Sequence, residues 1–596
     1  MTRYDMNAAL FPPLPVRRGL VLFLAPLTAF FLCQWVYGGS LLLAPGVIAA
    51  NYLCYAALYF PLCAITAKES LCAVLLHAAA GLWGAACHFV SLFRGSPVLP
   101  WDLTALGTAT AVAGSYDLTP TPVMLLALVL VIALAVVLLR WAPGGSFLPK
   151  GRDFFHRSLL LMCGVLCVLF ALSPKALERL GVKTDVWAPS TSYKTGGALA
   201  EFLCNTQFLS VEAPDGYSTE TAQLLLNQVE KEDAPTAETV ERPNVIAIMN
   251  ESWADFEEFG QLSLTESVSD YIDNLDNAVR GHSYTSVFGA GTSASEFEFL
   301  TGYSMAFLPS GSIPYQQYVL SPTDSLASLF RENGYRTLAI HPGERTSWQR
   351  NQAYPLLGFD DFKCVEDFDV PLETAHGGYV SDACNYEQIL WEFAHKDPEE
   401  RLFLFNVTIQ SHGGYTDPDY PTQVQLTDCP GEYPMAEQYL TLVNESDKAF
   451  EILVDYFSQQ SEPTVILMFG DHPPAVEQEF LDKAYGVAQS DMTMDQYLSK
   501  YRTPYVIWAN YPLTGDAPGD TSLNFLGQYL LQYAGMERTQ WGNFLWAFQK
   551  TIPALTFVGY TDTTGHAYSH LETNDYTSLI NDYATVQYQK LFGDKR

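Results

Sequence analysis

The chain has 596 residues, so two or three separately folded parts are expected. Residues 1–175 carry ten Lys and Arg against five Asp and Glu, whereas the whole chain has a net charge of −33, which leaves −38 for residues 176–596. An acidic surface of that size excludes nucleic acid as a partner, because phosphate contacts require Lys and Arg.

Five apolar stretches in the first part of the chain predict membrane-spanning helices. A helix needs about 20 apolar residues to cross a bilayer, and five such runs in succession argue against buried core helices. The last stretch is the shortest. The predicted spans are Gly19–Tyr37, Leu41–Ala67, Leu71–Phe93, Pro122–Trp141 and Ser158–Leu172.

The loops between these stretches differ in Lys and Arg content, which predicts the orientation of the chain. Cytoplasmic loops are enriched in Lys and Arg. The N-terminus is therefore expected in the cytoplasm, and an odd number of spans places everything after about residue 175 outside the cell. The intervening loops offer only Arg94, and the segment Arg94–Tyr116 is expected at the outer membrane interface. The basic residues on the cytoplasmic side are Arg3, Arg17, Arg18, Lys68, Arg140, Lys150, Arg152 and Arg157.

Residues 176–243 change in character and predict a linker with helices between residues 1–175 and a domain over residues 244–596. Ser218–Glu230 has the pattern of one amphipathic helix. Lys231–Pro243 is polar and contains two prolines, which is typical of a linker.

Short apolar runs alternate with helical patterns after Pro243, which predicts a mostly parallel, doubly wound α/β sheet. Two of the helices expected between the runs are Thr323–Asn333 and Ala436–Phe457. The predicted strands are Asn244–Met249, Thr337–Ile340, Leu402–Val407, Thr464–Phe469 and Tyr505–Trp508.

Side chains suited to metal binding or acid–base chemistry follow four of these strands. Ligands of open α/β sheets bind outside the carboxyl ends of the strands. A single His after a strand is usually an ordinary loop residue, but four such strand ends together indicate a site. The residues are Glu251, His341, the pair Ser411 and His412, and the pair Asp471 and His472.

A glycine-rich turn, Gly289–Gly291, precedes a predicted helix that starts near Thr292. A hydroxyl at a helix start meets unpaired N–H groups and the positive end of the helix dipole, which suits phosphate binding. A dinucleotide site would need an acidic residue about 20 positions later, and none is found there. The serine hydrolase elbow and the Walker loop are absent as well. Thr292 or Ser293 is also an ordinary candidate for an N-cap, which is compatible with a nucleophile.

Glu251, Asp471 and His472 form a coherent ligand set for a divalent cation. Two carboxylates and an imidazole suit manganese, magnesium or zinc. A hydroxyl is a weak nucleophile unless it is activated, and metal coordination is one way to activate it. If Thr292 bound the same ion, its oxygen would be able to attack phosphorus.

These residues lie in motifs that resemble the alkaline phosphatase and sulfatase superfamily, and within it the lipoteichoic acid synthase family of membrane phosphoglycerol transferases. The motifs are N-V-I-x-I-x-x-E (Asn244–Glu251), G-T-S-x-x-E (Gly291–Glu296), H-P-G-E-R-T-S-W-Q-R (His341–Arg350) and G-D-H-P-P (Gly470–Pro474). The C-x-P-x-R signature of true sulfatases is missing. By position, the resemblance implies the metal ligands Glu251, Thr292, Asp471 and His472, the nucleophile Thr292, and a substrate pocket of His341, Trp348, Arg350 and His412.

The resemblance implies an α-helical membrane domain of five spans followed by an α/β doubly wound, sulfatase-like extracellular domain in the cell membrane. It implies one divalent metal, Mn²⁺ in the first place and Mg²⁺ or Zn²⁺ as alternatives. The implied donor is phosphatidylglycerol, which would release diacylglycerol. The implied acceptor is a glycolipid or a poly(glycerol phosphate) chain.

Two other functions stay open at this point. A phosphoethanolamine transferase shares the spans, the threonine and the metal, but such enzymes usually carry several disulfides. A non-catalytic membrane sensor or scaffold would be expected to have lost a ligand, and none is missing. Four cysteines lie outside the apolar runs, which excludes a dense disulfide framework and leaves one disulfide possible: Cys204, Cys364, Cys384 and Cys429.

Overall fold

The computed structural model describes residues 14–94, 96–104, 118–142, 152–184, 189–209, 211–229 and 242–593. The described residues form two compact units, one containing those between Leu14 and Leu103 and between Leu118 and Val211, the other those from Glu212 onwards. Residues 105–116 of the predicted interfacial loop and residues 231–241 of the predicted linker lie outside the described ranges.

The first unit contains five helices that are long and apolar enough to cross a membrane, so the prediction of five spans is confirmed. The fifth is longer than its apolar stretch suggested, because the helix continues through the charged residues at its start. Five such helices are typical of a multi-pass membrane protein. The helices are α1 (Leu14–Tyr37), α2 (Pro45–Thr66), α3 (Glu69–Arg94), α4 (Pro122–Trp141) and α5 (Arg152–Ala171).

Small residues allow these helices to pack closely, as is usual between membrane helices. Helix α1 packs against α3, and α2 against α5. A β-carbon at Gly84 of α3 would lie 2.6 Å from the carbonyl oxygen of Cys33 in α1, so only glycine fits there. Three short helices follow in this unit: α6 (Pro174–Arg179), α7 (Pro189–Gly196) and α8 (Ala198–Asn205).

The second unit begins with α9 (Thr219–Gln228), the predicted amphipathic helix, whose first turn is capped by Ser218. The Ser218 hydroxyl accepts a hydrogen bond from the Thr221 N–H at 3.0 Å. The later helices of this unit are α10 (Asp270–Asn274), α11 (Thr292–Thr301), α12 (Pro314–Gln317), α13 (Leu326–Glu332), α14 (Arg350–Leu357), α15 (Asp382–His395), α16 (Pro434–Ser458), α17 (Gln478–Tyr485), α18 (Met494–Ser499), α19 (Leu523–Tyr533), α20 (Gln540–Gln549) and α21 (Thr577–Phe592).

An eight-stranded sheet forms the centre of the second unit, with the strand order β4-β3-β5-β1-β6-β7-β2-β8. The mostly parallel arrangement is confirmed, since β7 is the strand that runs against the others. An apolar run carries no information on direction, so the reversal could not be predicted. The strands are β1 (Asn244–Asn250), β2 (Ala278–Tyr284), β3 (Tyr335–His341), β4 (Asp361–Cys364), β5 (Arg401–Val407), β6 (Thr464–Gly470), β7 (Arg502–Ala509) and β8 (Thr521–Ser522).

Several strands were not predicted, because their sequences lack a buried apolar run. Strand β2 reads AVRGHSY and most of it is only half-buried, and β4 and β8 are very short. A small antiparallel sheet of three two-residue strands was missed for the same reason: β9 (Ala554–Leu555), β10 (Tyr560–Thr561) and β11 (Ala567–Tyr568).

Helices cover both faces of the large sheet, which confirms the doubly wound architecture. Alternate residues of a strand point to opposite faces. Ile246 and Ile248 of β1 lie in one core cluster with residues of α15 and α16. On the other face Phe299 of α11 contacts Phe405 and Phe469, with ring centroids 5.8 and 4.5 Å apart.

The start of one helix differs from the predicted one for an identifiable reason. Helix α13 begins at Leu326 and not at Thr323, because the Ser325 hydroxyl caps it by accepting from the Ser328 N–H.

All 11 cysteines are free thiols, so the structure contains no disulfide.

Candidate active site

The site begins where β1 and β6 end side by side. The two strands are parallel neighbours, and their last residues, Asn250 and Gly470, are paired in register. The residues that follow, Glu251 and Asp471, therefore leave the sheet at adjacent positions of its carboxyl edge. Both side chains are buried, and so is that of His472.

Glu251, Asp471 and His472 each offer a ligand atom within 4.8 Å of the others. Nε2 of His472 lies 3.3 Å from Oδ2 of Asp471 and 3.8 Å from Oε1 of Glu251. Neither Oδ2 of Asp471 nor Nε2 of His472 has a hydrogen-bond partner among the described residues. Buried polar atoms are normally satisfied, so these orphaned atoms fit a bound cation.

The charges of the two carboxyl groups also favour a cation. Burial raises the pKa of Glu251 well above its usual value, and the nearby Asp471 raises it further. Burial likewise raises the pKa of Asp471. Two buried carboxylates this close repel each other unless a positive charge compensates them. One divalent ion would supply that charge, and the oxygen and nitrogen donors suit it.

Backbone contacts hold the ligands in place. Ser252 has a φ of 54°, in the left-handed region that a non-glycine residue rarely adopts. In this conformation its N–H donates to Oδ1 of Asp471 at 2.7 Å, and its hydroxyl donates to Oε1 of Glu251 at 3.0 Å. The Glu251 N–H donates to the Thr408 hydroxyl at 3.0 Å. Strained backbone of this kind is common at functional sites.

Thr292 is the first residue of α11 and lies beside this cluster. Gly291 precedes it with a φ of 111°, which favours glycine, and no side chain caps the helix, so Thr292 and Ser293 are not N-caps. The Ser295 hydroxyl donates to the Asp471 carbonyl at 2.6 Å, which ties the helix to β6. The Thr292 side chain is close enough to the Asp471 carboxyl group to lower its pKa against the larger effect of burial.

Two histidines at strand ends add neutral imidazoles to the site. His341 is the last residue of β3, and its Nδ1 donates to the Val407 carbonyl at 3.0 Å, which leaves Nε2 as an acceptor. Burial lowers the pKa of His341 well below its usual value. His412 follows β5, and burial lowers its pKa to about 4. Its ring lies 5.1 Å from that of Tyr379.

Arg350, the first residue of α14, is buried and already paired. Its Nε and Nη2 atoms donate to Oε1 of Glu296 at 3.0 and 2.5 Å. Burial lowers the pKa of the guanidinium, but Glu296, Tyr354 and Tyr315 together outweigh burial and raise the pKa above its usual value. Only the remaining N–H groups of Arg350 are left for a phosphate.

Trp348 lies in a one-turn 3₁₀ helix, Ser347–Gln349, immediately before Arg350. Trp348 and Gln349 have φ angles of 55° and 62°, so two successive non-glycine residues adopt the left-handed conformation. The side chain of Trp348 is half-buried. The chain places it two residues from Arg350.

The structure thus brings Glu251, Asp471 and His472 into one cluster with Thr292 next to it. The charge of Arg350 acts on Glu251, His341 and His412, whose pKa values are set first by burial and then lowered by the guanidinium. Sequence reasoning missed that Arg350 pairs with Glu296, and that the hydroxyls of Tyr315 and Tyr354 donate to the same carboxylate. Glu296 is the last residue of the G-T-S-x-x-E motif, so the sequence singled out the residue but not its pairing with Arg350.

Comparison with known proteins agrees with this fold. A family model described as Sulfatase matches residues 243–536. The solved structure of the Streptococcus pyogenes phosphoglycerol transferase GacH, in complex with sn-glycerol-1-phosphate, superposes with a TM-score of 0.52. It is 20% identical and covers 64% of this chain and 96% of that chain, a similarity that concerns the fold alone.

Two relatives are similar in sequence. The chain is 30% identical over 428 residues to a putative cyclic beta-1,2-glucan modification protein of Rhizobium meliloti (strain 1021). The aligned residues cover 70% of this chain and 65% of the relative. It is 23% identical over 296 residues to the lipoteichoic acid synthase of Staphylococcus saprophyticus, and these residues cover 46% of this chain and 41% of the synthase. The chain therefore covers less than two thirds of the length of either relative.

Proposed function

We propose that the chain is a metal-dependent phosphoglycerol transferase. Residues 243–536 match the Sulfatase family model, and five helices are long and apolar enough to cross a membrane. The single observation that carries the proposal is the position of Thr292 at the start of α11, beside the buried cluster of Glu251, Asp471 and His472. In this proposal residues 1–175 are the membrane domain, 176–243 the connection and 244–596 the catalytic domain.

The proposed reaction has two steps. The hydroxyl oxygen of Thr292 forms a bond to the phosphorus of phosphatidylglycerol, the bond from phosphorus to the diacylglycerol oxygen breaks, and that oxygen takes a proton. An acceptor hydroxyl then forms a bond to the same phosphorus, the bond to Thr292 breaks, and the threonine oxygen regains a proton. Glycerol phosphate passes from the lipid to the acceptor in this way.

Glu251, Asp471, His472 and Thr292 are the residues that would hold a divalent ion, Mn²⁺ first and Mg²⁺ or Zn²⁺ as alternatives. Such an ion lowers the pKa of a bound hydroxyl and stabilises negative charge on phosphoryl oxygens. The cluster supports this assignment because Oδ2 of Asp471 and Nε2 of His472 are buried without a hydrogen-bond partner among the described residues.

The other residues of the site have separate roles in the proposal. Arg350 binds the phosphate through the N–H groups that Glu296 does not occupy. His341 and His412 have lowered pKa values and are therefore neutral at pH 7, so each can accept a proton or a hydrogen bond. Trp348 would form the wall against the glycerol.

The membrane helices support a lipid donor and a lipid-anchored acceptor. We propose that the N-terminus is cytoplasmic and that the catalytic domain faces outward from the cell membrane, as the distribution of Lys and Arg indicates. The acceptor would be a glycolipid or a poly(glycerol phosphate) chain. A sugar hydroxyl of a glucan is a second candidate, because the relative that is 30% identical is described as a glucan modification protein.

The two rival functions have less support. A phosphoethanolamine transferase with several disulfides fits poorly, because Cys204, Cys364, Cys384 and Cys429 are all free thiols. A non-catalytic sensor fits poorly too, because the ligand cluster is complete and buried.

Purified full-length protein in detergent tests the proposal. Phosphatidylglycerol labelled in its head group is incubated with Mn²⁺ and, in separate reactions, with a glycolipid, poly(glycerol phosphate) or a glucan. We expect release of diacylglycerol and transfer of the label to one acceptor. No consumption of phosphatidylglycerol with Mn²⁺, Mg²⁺ or Zn²⁺ would refute the proposal.

A further inference from the structure

The carboxylate of Glu296 is fully buried next to the proposed nucleophile. Glu296 is the fourth residue after Thr292 on α11, so the two side chains lie on the same face one turn apart. Its Oε1 accepts from Nε and Nη2 of Arg350 at 3.0 and 2.5 Å. Its Oε2 accepts from the Tyr354 hydroxyl at 2.7 Å and from the Tyr315 hydroxyl at 3.0 Å. Glu296 therefore connects α11 to the segment that carries Arg350.

We infer that Glu296 is a positioning residue, which orients the guanidinium of Arg350 towards the phosphate that Thr292 attacks. This inference rests on the proposed phosphotransfer function. A guanidinium is planar and has five N–H donors in a fixed arrangement. Because Glu296 binds the edge formed by Nε and Nη2, the plane is fixed, and the N–H groups of Nη1 and the second N–H of Nη2 remain for a phosphate.

The strained turn before Arg350 supports this role. Trp348 and Gln349 both adopt positive φ angles, which is unfavourable for a non-glycine residue unless its surroundings hold it. The bonds from Glu296 to Arg350 fix the end of this turn to α11. Loss of the carboxylate would release the turn and would displace both Trp348 and Arg350 from the site.

The charge of Arg350 acts on three residues of the site. Burial has the largest effect on the pKa values of Glu251, His341 and His412, raising the first and lowering the other two. The charge of Arg350 lowers all three. Glu296 thus holds a charge that acts on residues at the ends of three different strands.

A purely structural ion pair would behave differently. Removal of one partner from a buried ion pair is destabilising, because the other charge stays buried without compensation. A structural role predicts that replacing Glu296 lowers the melting temperature and leaves kcat/KM of the folded protein unchanged. A positioning role predicts a loss of kcat/KM that depends on Arg350.

Glu296→Gln in the full-length protein separates these outcomes, since glutamine keeps the size and one acceptor oxygen. We expect kcat/KM for glycerol phosphate transfer to fall by about 10²-fold, the effect of displacing a catalytic group by about 1 Å. Binding of sn-glycerol-1-phosphate should weaken, and the metal content should stay the same. Combining Glu296→Gln with Arg350→Lys should cost no more than Arg350→Lys alone, because coupled residues are not additive.

Glu298→Gln is the matched control. Glu298 is a second buried carboxylate on α11, and its Oε1 accepts from the Ser286 hydroxyl and the Met305 N–H, both at 2.8 Å. It does not contact Arg350 or Tyr354, so its replacement should leave kcat/KM unchanged. If Glu296→Gln fails to fold, Tyr354→Phe removes one donor to Glu296 and should lower kcat/KM in the same direction by a smaller factor.

Folded Glu296→Gln or Tyr354→Phe protein with unchanged kcat/KM would overturn the inference while the wild type still transfers glycerol phosphate. An additive loss in the double variant would overturn it as well. Absence of transfer by the wild type would instead refute the proposed function on which the inference rests.

Discussion

Asn250 and Gly470 are paired as the last residues of two parallel strands, and this pairing brings Glu251 and Asp471 together. The two ligand positions lie far apart in the sequence, but each follows its strand directly. A metal site built in this way depends on the register of β1 and β6, and its ligands lie on the rigid edge of the sheet.

The first prediction concerns the metal. Asp471→Ala should lose the bound ion and the activity, because it removes a buried carboxylate from the cluster of Glu251, Asp471 and His472. Elemental analysis should find about one ion per chain in the wild type, as expected for a single-metal site, and none in the variant. Asp447→Asn is the control: this buried carboxylate of α16 binds the N–H groups of Tyr271 and Ile272, away from the cluster. Equal metal content in Asp471→Ala and wild type would contradict the assignment.

The second prediction concerns orientation. Reporter fusions at Ser70, Pro120 and Gly216 should give inside, outside and outside signals in that order, because Lys and Arg are concentrated in alternate loops. A cytoplasmic signal at Gly216 would be incompatible with a catalytic domain that faces out of the cell.

The third prediction concerns the head group of the donor. Arg350→Lys should lower turnover markedly although the charge is kept, because lysine cannot bind Glu296 and a phosphate at once through a planar fork. Phosphatidylglycerol should be consumed, and phosphatidylethanolamine should not. Efficient use of phosphatidylethanolamine by the wild type would favour the phosphoethanolamine transferase function instead.

The fourth prediction concerns stability and pH. Burial raises the pKa of Glu298 to about 7, against the hydrogen bonds from Met305 and Ser286 that lower it. The folded state therefore holds its proton where the unfolded state, with a pKa of 4.5, has released it. Glu298 should lower the free energy of unfolding as the pH rises from about 4.5 to 7, by about 3 kcal/mol at most.

Glu298→Gln should remove this contribution. Chemical unfolding at several pH values should show a flatter dependence for the variant than for the wild type across pH 4.5–7. Parallel curves for the two proteins would show that Glu298 does not titrate in this range.

The site residues that could be predicted from the sequence are those that stand at the end of a predicted strand or directly after it. Glu251, His341, Asp471 and His472 belong to this class, since strand ends of a parallel sheet meet at one edge. The pairing of Glu296 with Arg350 could not be predicted, because the two residues are 54 positions apart and on different helices. The same applies to β2, whose sequence AVRGHSY has no apolar run and is placed in the sheet by its pairing with β7.

The most direct test of the central claim is a covalent adduct on Thr292. Thr292→Ala should keep lipid binding but lose about 10⁴–10⁶ in kcat, as expected for removal of a nucleophile. Ser293→Ala, the neighbouring hydroxyl on α11, should stay active. Intact-mass analysis of wild-type protein quenched during turnover of phosphatidylglycerol should show one glycerophosphate adduct, and peptide mapping should place it on Thr292. An adduct on Ser293 or Ser295, or turnover without any adduct, would contradict the account.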